Sequence, residues 1–321
     1  MEIKTTDSNT RKIKSSLLAP GHHSCAGCGQ MIAARLVANA LGPDVIIANA
    51  TGCLEVVTTA YPESSWGMPW IHSLFENAPA VASGIRSALD YKEKNIIINK
   101  SDRVKNSVKD VKVVAQGGDG ATFDIGFGLL SGMWERGENI LYVCYDNEGY
   151  MNTGAQASSA TAWSANTTTT PASSSPNTKG IGSCFMKKDM LAIALAHNLK
   201  YVAQTTVAYP LDIIKKVKKA IAAPGPSYLQ ILVPCVSGWK IEPNQTIQLA
   251  KLAATTGIYP VVEYVNGQLA DAIKLLAKKP LVEDYLKPQG RFKHLFKNEL
   301  GKNQIAYIQK LANENIKKYN L

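Results

Sequence analysis

The sequence predicts an α/β fold in which a parallel β-sheet carries helices on both faces. Short apolar runs typical of buried strands alternate with longer segments that have helical periodicity. Four of these runs are followed directly by unusual glycine-, cysteine- or acid-containing stretches. This arrangement is typical of parallel sheets, which bind ligands beyond the carboxyl ends of their strands. With 321 residues, 45% of them hydrophobic, the chain is long enough to bury such a core.

Each element is predicted from its own pattern. Runs rich in Val, Ile and Tyr predict strands, and apolar positions spaced by three and four residues predict helices. The predicted strands are residues 44–50, 111–117, 139–145, 200–206 and 227–233. The predicted helices are residues 30–41, 78–89, 123–136, 190–197, 211–221 and 247–257.

Two segments are interpreted as loops. Residues 93–110 are polar and charged around a short apolar stretch, and residues 164–180 are rich in Ser, Thr, Pro and Asn. Beyond Trp239 the strand–helix alternation weakens. We therefore expect a site-bearing domain over residues 1–240 and a basic extension of helices and extended segments over residues 241–321.

The net charge of +10 is concentrated near the end of the chain. From Lys274 to Leu321 there are 11 Lys and Arg against 4 Asp and Glu, a local excess of +7. A solvated helical face is the favoured interpretation, with a docking surface for an acidic protein as the alternative. No nucleic-acid-binding motif accompanies the charge, so we expect no nucleic-acid partner.

No apolar run approaches the roughly 18 residues that a membrane span needs. The first 21 residues also lack the apolar segment of a secretory signal. We therefore expect no membrane association and a cytoplasmic location. The chain has six cysteines, which is few for its length, and a disulfide framework is not expected in a reducing compartment. Metal binding or redox chemistry is therefore favoured for some of them.

A diphosphate–magnesium site is predicted where two neighbouring strands end. The stretch "GGDGATFDIGF" places Asp119 just past a strand and ahead of a helix, whose first N–H groups suit a diphosphate. Asp119 is expected to hold a cation between itself and the phosphates. A lone GDG is typical of an ordinary turn, but Asn147 follows the next strand 28 positions later. Asn147 and the backbone oxygen of Gly149 complete an oxygen donor set of the kind Mg²⁺ prefers, and the spacing resembles the thiamine-diphosphate motif.

The cysteines allow three chemistries. Cys25 and Cys28 form a CxxC, which alone fits a redox disulfide or half of a zinc site. Cys53 and Cys235 each stand singly just past a predicted strand. Together the four thiols suit a [4Fe–4S] cluster, with structural zinc as the main alternative. Cys144 lies inside an apolar strand, where a buried role is expected.

Seven motifs together resemble the beta, thiamine-diphosphate-binding, subunit of pyruvate:ferredoxin oxidoreductase, in the 2-oxoacid:ferredoxin oxidoreductase family. The resemblance is collinear over residues 18–257. The motifs are "GHHSCAGCG", "NATGCLEVVTTAYP", "PWIHSLFENAPAVASGI", "GGDGATFDIGF", "VCYDNEGYMNTGAQ", "SSATAW…TTTTP" and "VPCVSGW".

The resemblance implies a thiamine-diphosphate-binding fold and the cofactors thiamine diphosphate, Mg²⁺ and a [4Fe–4S] cluster. It implies oxidative decarboxylation of pyruvate with coenzyme A to acetyl-CoA and CO2, with electrons passing through the cluster to ferredoxin. The implied cluster ligands are Cys25, Cys28, Cys53 and Cys235. The implied magnesium ligands are Asp119, Asn147 and the Gly149 carbonyl.

Further residues and partners follow from the same resemblance. Gly118, Gly120 and Ala121 are expected at the diphosphate, and Asn152 near the reacting part of cofactor and substrate. An alpha-type subunit is expected to supply the pyrimidine-binding domain and the activating glutamate, so no complete catalytic set is expected in this chain. Gamma and ferredoxin-like delta subunits are the other expected partners.

Other functions remain open at this point. Related subunits act on branched-chain 2-oxo acids, 2-oxoglutarate or oxalate. A non-redox thiamine enzyme with structural zinc and a cluster-carrying scaffold without carbon chemistry are the alternatives from other classes. The pairing of Asp119 with Asn147 argues against the scaffold.

Overall fold

The computed structural model describes residues 16–60, 62–99, 111–173 and 180–321. Eight strands form one sheet in the order β2-β1-β3-β4-β6-β5-β7-β8. The first six in chain order pair in parallel, whereas β7 pairs antiparallel with both β5 and β8. The strands are β1 (Val45–Asn49), β2 (Trp70–His72), β3 (Lys112–Gly118), β4 (Leu141–Asp146), β5 (Tyr201–Thr206), β6 (Ser227–Leu232), β7 (Val262–Val265) and β8 (Gln268–Ala272).

Helices cover the sheet and its carboxyl-terminal edge. The α-helices are α1 (Gly29–Leu41), α2 (Cys53–Thr58), α3 (Ala78–Asn99), α4 (Phe127–Glu135), α5 (Met190–Ala196), α6 (Pro210–Ala222), α7 (Val236–Trp239), α8 (Thr246–Thr255), α9 (Val282–Leu286) and α10 (Glu299–Tyr319). A π-helix at Gly120–Ile125 precedes α4, and 3₁₀ turns lie at Pro243–Gln245 and Gly290–Phe296.

The parallel sheet is buried on both faces. Successive residues of β4 alternate between two cores, with Val143 and Tyr145 in one cluster and Tyr142 and Cys144 in the other. Helices α1 and α6 supply the first cluster, and α4 and α5 supply the second. Because side chains of a strand alternate between faces, strands covered on both sides become continuously apolar. The predicted parallel sheet with helices on both faces is confirmed.

The predicted strands match β1, β3, β4, β5 and β6 to within two residues. The hairpin β7–β8 was not predicted, because most of β8 is exposed and its sequence, "QLADA", carries no apolar alternation. The short edge strand β2 was missed because three residues are too few to show a period.

Two local predictions need correction. Helix α3 continues to Asn99, so residues 93–99 are helical rather than part of a loop. No Gly or Pro lies between Ile85 and Asn99 to end the helix; residues 100–110 lie outside the described part. The helix predicted over residues 123–136 is instead a π-helix followed by α4, with the boundary at Gly126. The Gly126 N–H donates to the Ala121 carbonyl, five residues earlier, as is typical of a π-helix.

The remaining predictions concern less regular segments. Within the predicted loop 164–180, the described residues 164–173 and 180 contain no helix or strand, while residues 174–179 lie outside the described part. After β6, helices α7 to α10 and the 3₁₀ turn Gly290–Phe296 surround a third core that includes Trp239, Tyr285 and Phe292. No helix within the described ranges is long and apolar enough to cross a membrane.

Truncation of a core leucine tests the two-sided burial of the sheet. Leu229 in β6 is fully buried, so Leu229→Ala is expected to lower the free energy of unfolding by about 2–5 kcal/mol, measured by equilibrium urea unfolding. Leu211→Ala is the matched control: Leu211 is 80% exposed, and the expected loss is about 0.5 kcal/mol or less. Equal losses in the two variants would contradict this account of the core.

Candidate cofactor site

A cavity of about 160 Å³ lies where β1, β3 and β4 end at one edge of the sheet. Parallel pairing places these carboxyl ends together, as the sequence predicted. Ala121 does not line this cavity; it is buried against Ala50 and Ala78. The other predicted cofactor-binding residues line it together with Cys53: Gly118, Asp119, Gly120, Asn147, Gly149 and Asn152.

The turn after β4 brings three oxygen-bearing groups together. One terminal atom of the Asn147 side-chain amide lies 2.8 Å from the Gly149 carbonyl oxygen and 2.8 Å from Asp119 Oδ1. If this atom is nitrogen, it donates to both oxygens. If it is oxygen, three oxygens face one another, which is the kind of donor set that suits Mg²⁺. The residues present therefore fit a magnesium ion.

Asp119 is buried beside a second carboxylate. It is 1% exposed, and burial together with the charge of Asp146 raises the pKa of Asp119 to about 8. Ser158 Oγ donates to Asp119 Oδ2 at 2.5 Å, and the Asn147 N–H donates to Oδ1 at 3.2 Å. These donors offset only part of the cost of an ionised Asp119, so a cation at this position is favoured electrostatically.

A network of charges lies behind the same turn, and all of its members except the partly exposed Lys187 are buried. Lys187 Nζ is 2.6 Å from Asp146 Oδ2 and 3.1 Å from Glu148 Oε1, and Arg291 Nη2 is 2.7 Å from Glu148 Oε2. Burial raises the pKa of Glu148, but the charges of Lys187 and Arg291 outweigh burial and hold the pKa below its usual value. Glu148 is therefore an ionised, buried carboxylate between two cations.

The turn carrying Cys25 and Cys28 packs against the segment carrying Cys235. The Gly29 N–H donates to the Pro234 carbonyl at 3.3 Å, and a Cβ at Gly29 would lie only 2.8 Å from that oxygen. Only glycine allows this approach of two backbones. Cys25 Sγ lies 3.9 Å from Ser237 Oγ, two residues beyond Cys235.

The four predicted cluster ligands are also close enough to interact electrostatically. Burial, followed by the charges of Cys235, Cys28 and Cys25, raises the pKa of Cys53 to about 12. Burial also raises the pKa values of Cys28 and Cys235. Backbone N–H groups partly counter this; that of Gly238 points at Cys235 Sγ, 3.3 Å away.

The thiols of the described residues are not arranged around a common point, as a metal site would require. Among the residues that the structure describes, no group of three or more His, Cys, Asp and Glu is arranged to hold a metal ion. The mutual effect of the thiols on their pKa values shows proximity, whereas metal binding requires all the ligands to converge on one point. The chemistry of the donor set fits a thiolate-bound metal, since buried thiolates need a nearby positive charge.

The comparisons with known proteins show the family of the chain. Residues 50–231 match the family model "Thiamine pyrophosphate enzyme, C-terminal TPP binding domain". The chain is 48% identical over 304 residues to pyruvate synthase subunit PorB of Methanocaldococcus jannaschii, covering 95% of this chain and 96% of that protein. The chain belongs to the PorB family of thiamine pyrophosphate enzymes.

A second PorB relative and one solved structure extend the comparison. Pyruvate synthase subunit PorB of Methanosarcina barkeri is 47% identical over 304 residues, covering 95% of this chain and 97% of that protein. A 2-oxoglutarate:ferredoxin oxidoreductase structure from Magnetococcus marinus aligns with a TM-score of 0.54 at 21% identity, covering 90% of this chain and 92% of that chain. This last likeness shows a shared fold. The PorB family assignment confirms the predicted thiamine-diphosphate fold and the resemblance given by the motifs.

Sequence reasoning missed several polar residues around the cavity of this PorB-family chain. Thr51 lines the cavity, and its Oγ1 lies 2.7 Å from His72 Nε2. Lys187 and Arg291 were missed because neither occurs in a recognisable motif. Their only signal is that each is a basic residue beside large apolar residues, in "CFMKKDM" and "QGRFKHLF".

The pH dependence of stability tests the buried position of Asp119. The ordinary pKa is 3.8 and the folded value is about 8, so between these values the folded chain holds a proton that the unfolded chain releases. The stability of the metal-free chain should therefore fall as pH rises through this range. Asp119→Asn cannot ionise and should flatten this fall, measured as urea midpoints from about pH 5 to 8.

Asp271→Asn is the control for this experiment. Asp271 lies on the edge strand β8 with its side chain 56% exposed, so its loss should leave the pH dependence of the wild type in place. Parallel pH curves for the wild type and Asp119→Asn would show that Asp119 does not hold the extra proton.

Proposed function

We propose that the chain is the thiamine-diphosphate-binding subunit of a pyruvate:ferredoxin oxidoreductase. The reaction converts pyruvate and coenzyme A to acetyl-CoA, CO2 and one proton, and two electrons reduce two ferredoxins. The observation that carries the proposal is the convergence of Asp119, Asn147 and Gly149 at the carboxyl ends of β3 and β4, in a chain similar to pyruvate synthase PorB subunits.

The proposed magnesium ligands are Asp119 Oδ1, the Asn147 side-chain oxygen and the Gly149 carbonyl. Gly118 and Gly120 line the cavity beside them, where the diphosphate is proposed to bind. A Cβ at Gly120 would collide with the ring of Tyr150, so only a glycine leaves both the ring and the cavity in place. Asn152 lines the same cavity and is proposed to lie near the reacting part of the cofactor and substrate.

Cys25, Cys28, Cys53 and Cys235 are the proposed ligands of a [4Fe–4S] cluster. Support comes from their mutual electrostatic effect, from the contact of the Gly29 and Pro234 backbones, and from the position of Cys53 at the cavity wall. When bound, thiamine diphosphate supplies the electron sink for loss of CO2, and the cluster supplies the one-electron path to ferredoxin. The role of this chain is to hold both groups at one edge of the sheet.

Partner chains complete the proposed enzyme. We propose that an alpha-type subunit contributes the pyrimidine-binding domain and the activating glutamate, and that gamma and ferredoxin-like delta subunits complete the assembly. Pyruvate is the proposed substrate because the relatives at 47% and 48% identity are named pyruvate synthase subunits.

Loss of single thiols tests the cluster. Cys53→Ser and Cys235→Ser are each expected to reduce cluster iron and abolish ferredoxin reduction, because serine is a poor ligand for iron in a thiolate site. Thiamine diphosphate binding should be less affected. Iron and sulfide are measured on the anaerobically purified complex.

Cys184→Ser is the control, since Cys184 is not a proposed ligand, and it should retain wild-type iron. Unchanged iron in Cys53→Ser or Cys235→Ser would remove that position from the ligand set. Zinc in place of iron and sulfide in the wild type would support the structural-zinc alternative.

Loss of the central carboxylate tests the magnesium site. Asp119→Asn should weaken Mg²⁺-dependent thiamine diphosphate binding by about 100-fold or more, since outer partners of a metal alone contribute about 10–100-fold. Cluster iron should stay at the wild-type level. Binding is measured by calorimetric titration of the complex with thiamine diphosphate at several Mg²⁺ concentrations. Wild-type affinity in Asp119→Asn would refute the assignment, and Asp271→Asn on β8 is again the matched control.

A further inference from the structure

We infer that Arg291 is a positioning residue for the turn Asn147–Gly149, and through it for the divalent cation and diphosphate. This inference rests on the proposed function of the turn. Arg291 lies in the carboxyl-terminal part of the chain, within the 3₁₀ turn Gly290–Phe296, far in sequence from the residues it would position.

The turn needs an external anchor because of its backbone conformation. Glu148 adopts a φ of +65°, in the left-handed region that non-glycine residues rarely occupy. Such a conformation persists only where the surroundings hold it. Glu148 lies between Asn147 and Gly149, so this conformation determines how the Asn147 side chain and the Gly149 carbonyl face Asp119.

Arg291 is closer to the Glu148 carboxylate than Lys187 is. Its Nη2 lies 2.7 Å from Glu148 Oε2, and the two residues are 2% and 3% exposed. Thr161 Oγ1 also donates to the Glu148 carbonyl at 3.0 Å. Lys187 bonds Glu148 too, but at the same time it neutralises Asp146 at 2.6 Å. Without Arg291, one lysine would face two buried carboxylates.

Arg291 is itself held rigidly. Its Nε donates to Gln289 Oε1 at 2.8 Å, and its guanidinium carbon lies 3.8 Å from the centre of the Trp239 ring. Trp239 Nε1 in turn donates to the Asn147 carbonyl at 2.8 Å. The stacked pair thus holds the turn twice, through the Asn147 backbone and through the Glu148 side chain. Stacking and a planar fork of donors are properties of arginine that other side chains lack.

The turn also separates two cavities. Asn147 and Gly149 line the cofactor cavity, whereas Glu148 and Lys187 line a larger cavity of about 360 Å³ beneath α10. Because the Glu148 side chain borders this larger cavity, close packing alone does not hold it in position. The ion pairs with Lys187 and Arg291 therefore help to hold the Glu148 side chain in this space.

The test measures metal binding rather than turnover. The complex containing the full chain is stripped of Mg²⁺ and thiamine diphosphate by chelation, and Mn²⁺ is titrated with saturating thiamine diphosphate, followed by electron paramagnetic resonance. Arg291→Met should raise the Mn²⁺ dissociation constant by about 10–100-fold, the range seen when an outer-shell partner is lost. Arg291→Lys keeps the charge and should recover part of the affinity.

Leu295→Ala is the matched structural control. Leu295 lies in the same 3₁₀ turn and is fully buried in the third core. This variant should lower the thermal midpoint yet keep the Mn²⁺ dissociation constant within about twofold of the wild type, since it removes no partner of the turn. If Arg291→Met does not fold, Glu148→Gln removes the same ion pair by neutralising the carboxylate, while Arg291 keeps its contacts with Gln289 and Trp239. This variant should weaken Mn²⁺ binding in the same way.

Two results would overturn the inference. One is wild-type Mn²⁺ affinity in Arg291→Met or in its substitute Glu148→Gln. The other is an equal loss of affinity in Leu295→Ala and Arg291→Met, which would reduce Arg291 to a stabilising role. If Mn²⁺ binding by the wild type does not depend on thiamine diphosphate, the proposed function fails as well. If that dependence is present and Arg291→Met matches the wild type, the inference alone fails.

Discussion

Parallel pairing of β1, β3, β4 and β6 is the constraint on which the site depends. In an antiparallel arrangement, successive strands would end at opposite edges, and Cys53, Asp119, Asn147 and Cys235 would be separated. Because these four strands are parallel, their carboxyl ends all lie at the same edge of the sheet. The helices on both faces make that register possible, because each crossover returns the chain to the starting edge before the next strand begins.

The cofactor site places several carboxylates in one buried region, which is electrostatically unfavourable. Asp119, Asp146 and Glu148 lie within one buried region, and Lys187 and Arg291 are the cations that contact Asp146 and Glu148. Hydrogen bonds from Ser158 and the Asn147 N–H reach Asp119, but burial and the charge of Asp146 outweigh them and raise its pKa. Among the described residues, this arrangement leaves Asp119, the carboxylate that lines the cavity, without a cation in direct contact. The proposed divalent cation would therefore offset the cost of ionising Asp119.

The sequence predicted the parts of the fold that repeat a pattern. Continuous apolar runs identified the five central strands, and the residues just beyond them identified the cavity. The exposed hairpin β7–β8 lacks such a pattern and was missed. The Arg291–Glu148 pair was missed for a different reason: it joins residues 143 positions apart, and no local spacing records a contact made only by tertiary packing. The same limit applies to Lys187, whose two carboxylate partners lie on β4 and the turn after it.

The wide separation of the four thiols along the chain has a consequence for assembly. Cys25 and Cys28 precede β1, Cys53 follows β1, and Cys235 follows β6, which pairs with β4 and β5 near the middle of the sheet. These side chains become neighbours only after the central strands have paired. A small zinc module, by contrast, gathers its ligands from a short segment and folds around its metal. If the proposed cluster is bound by all four thiols, the strands between them have to pair before the last ligand is in place.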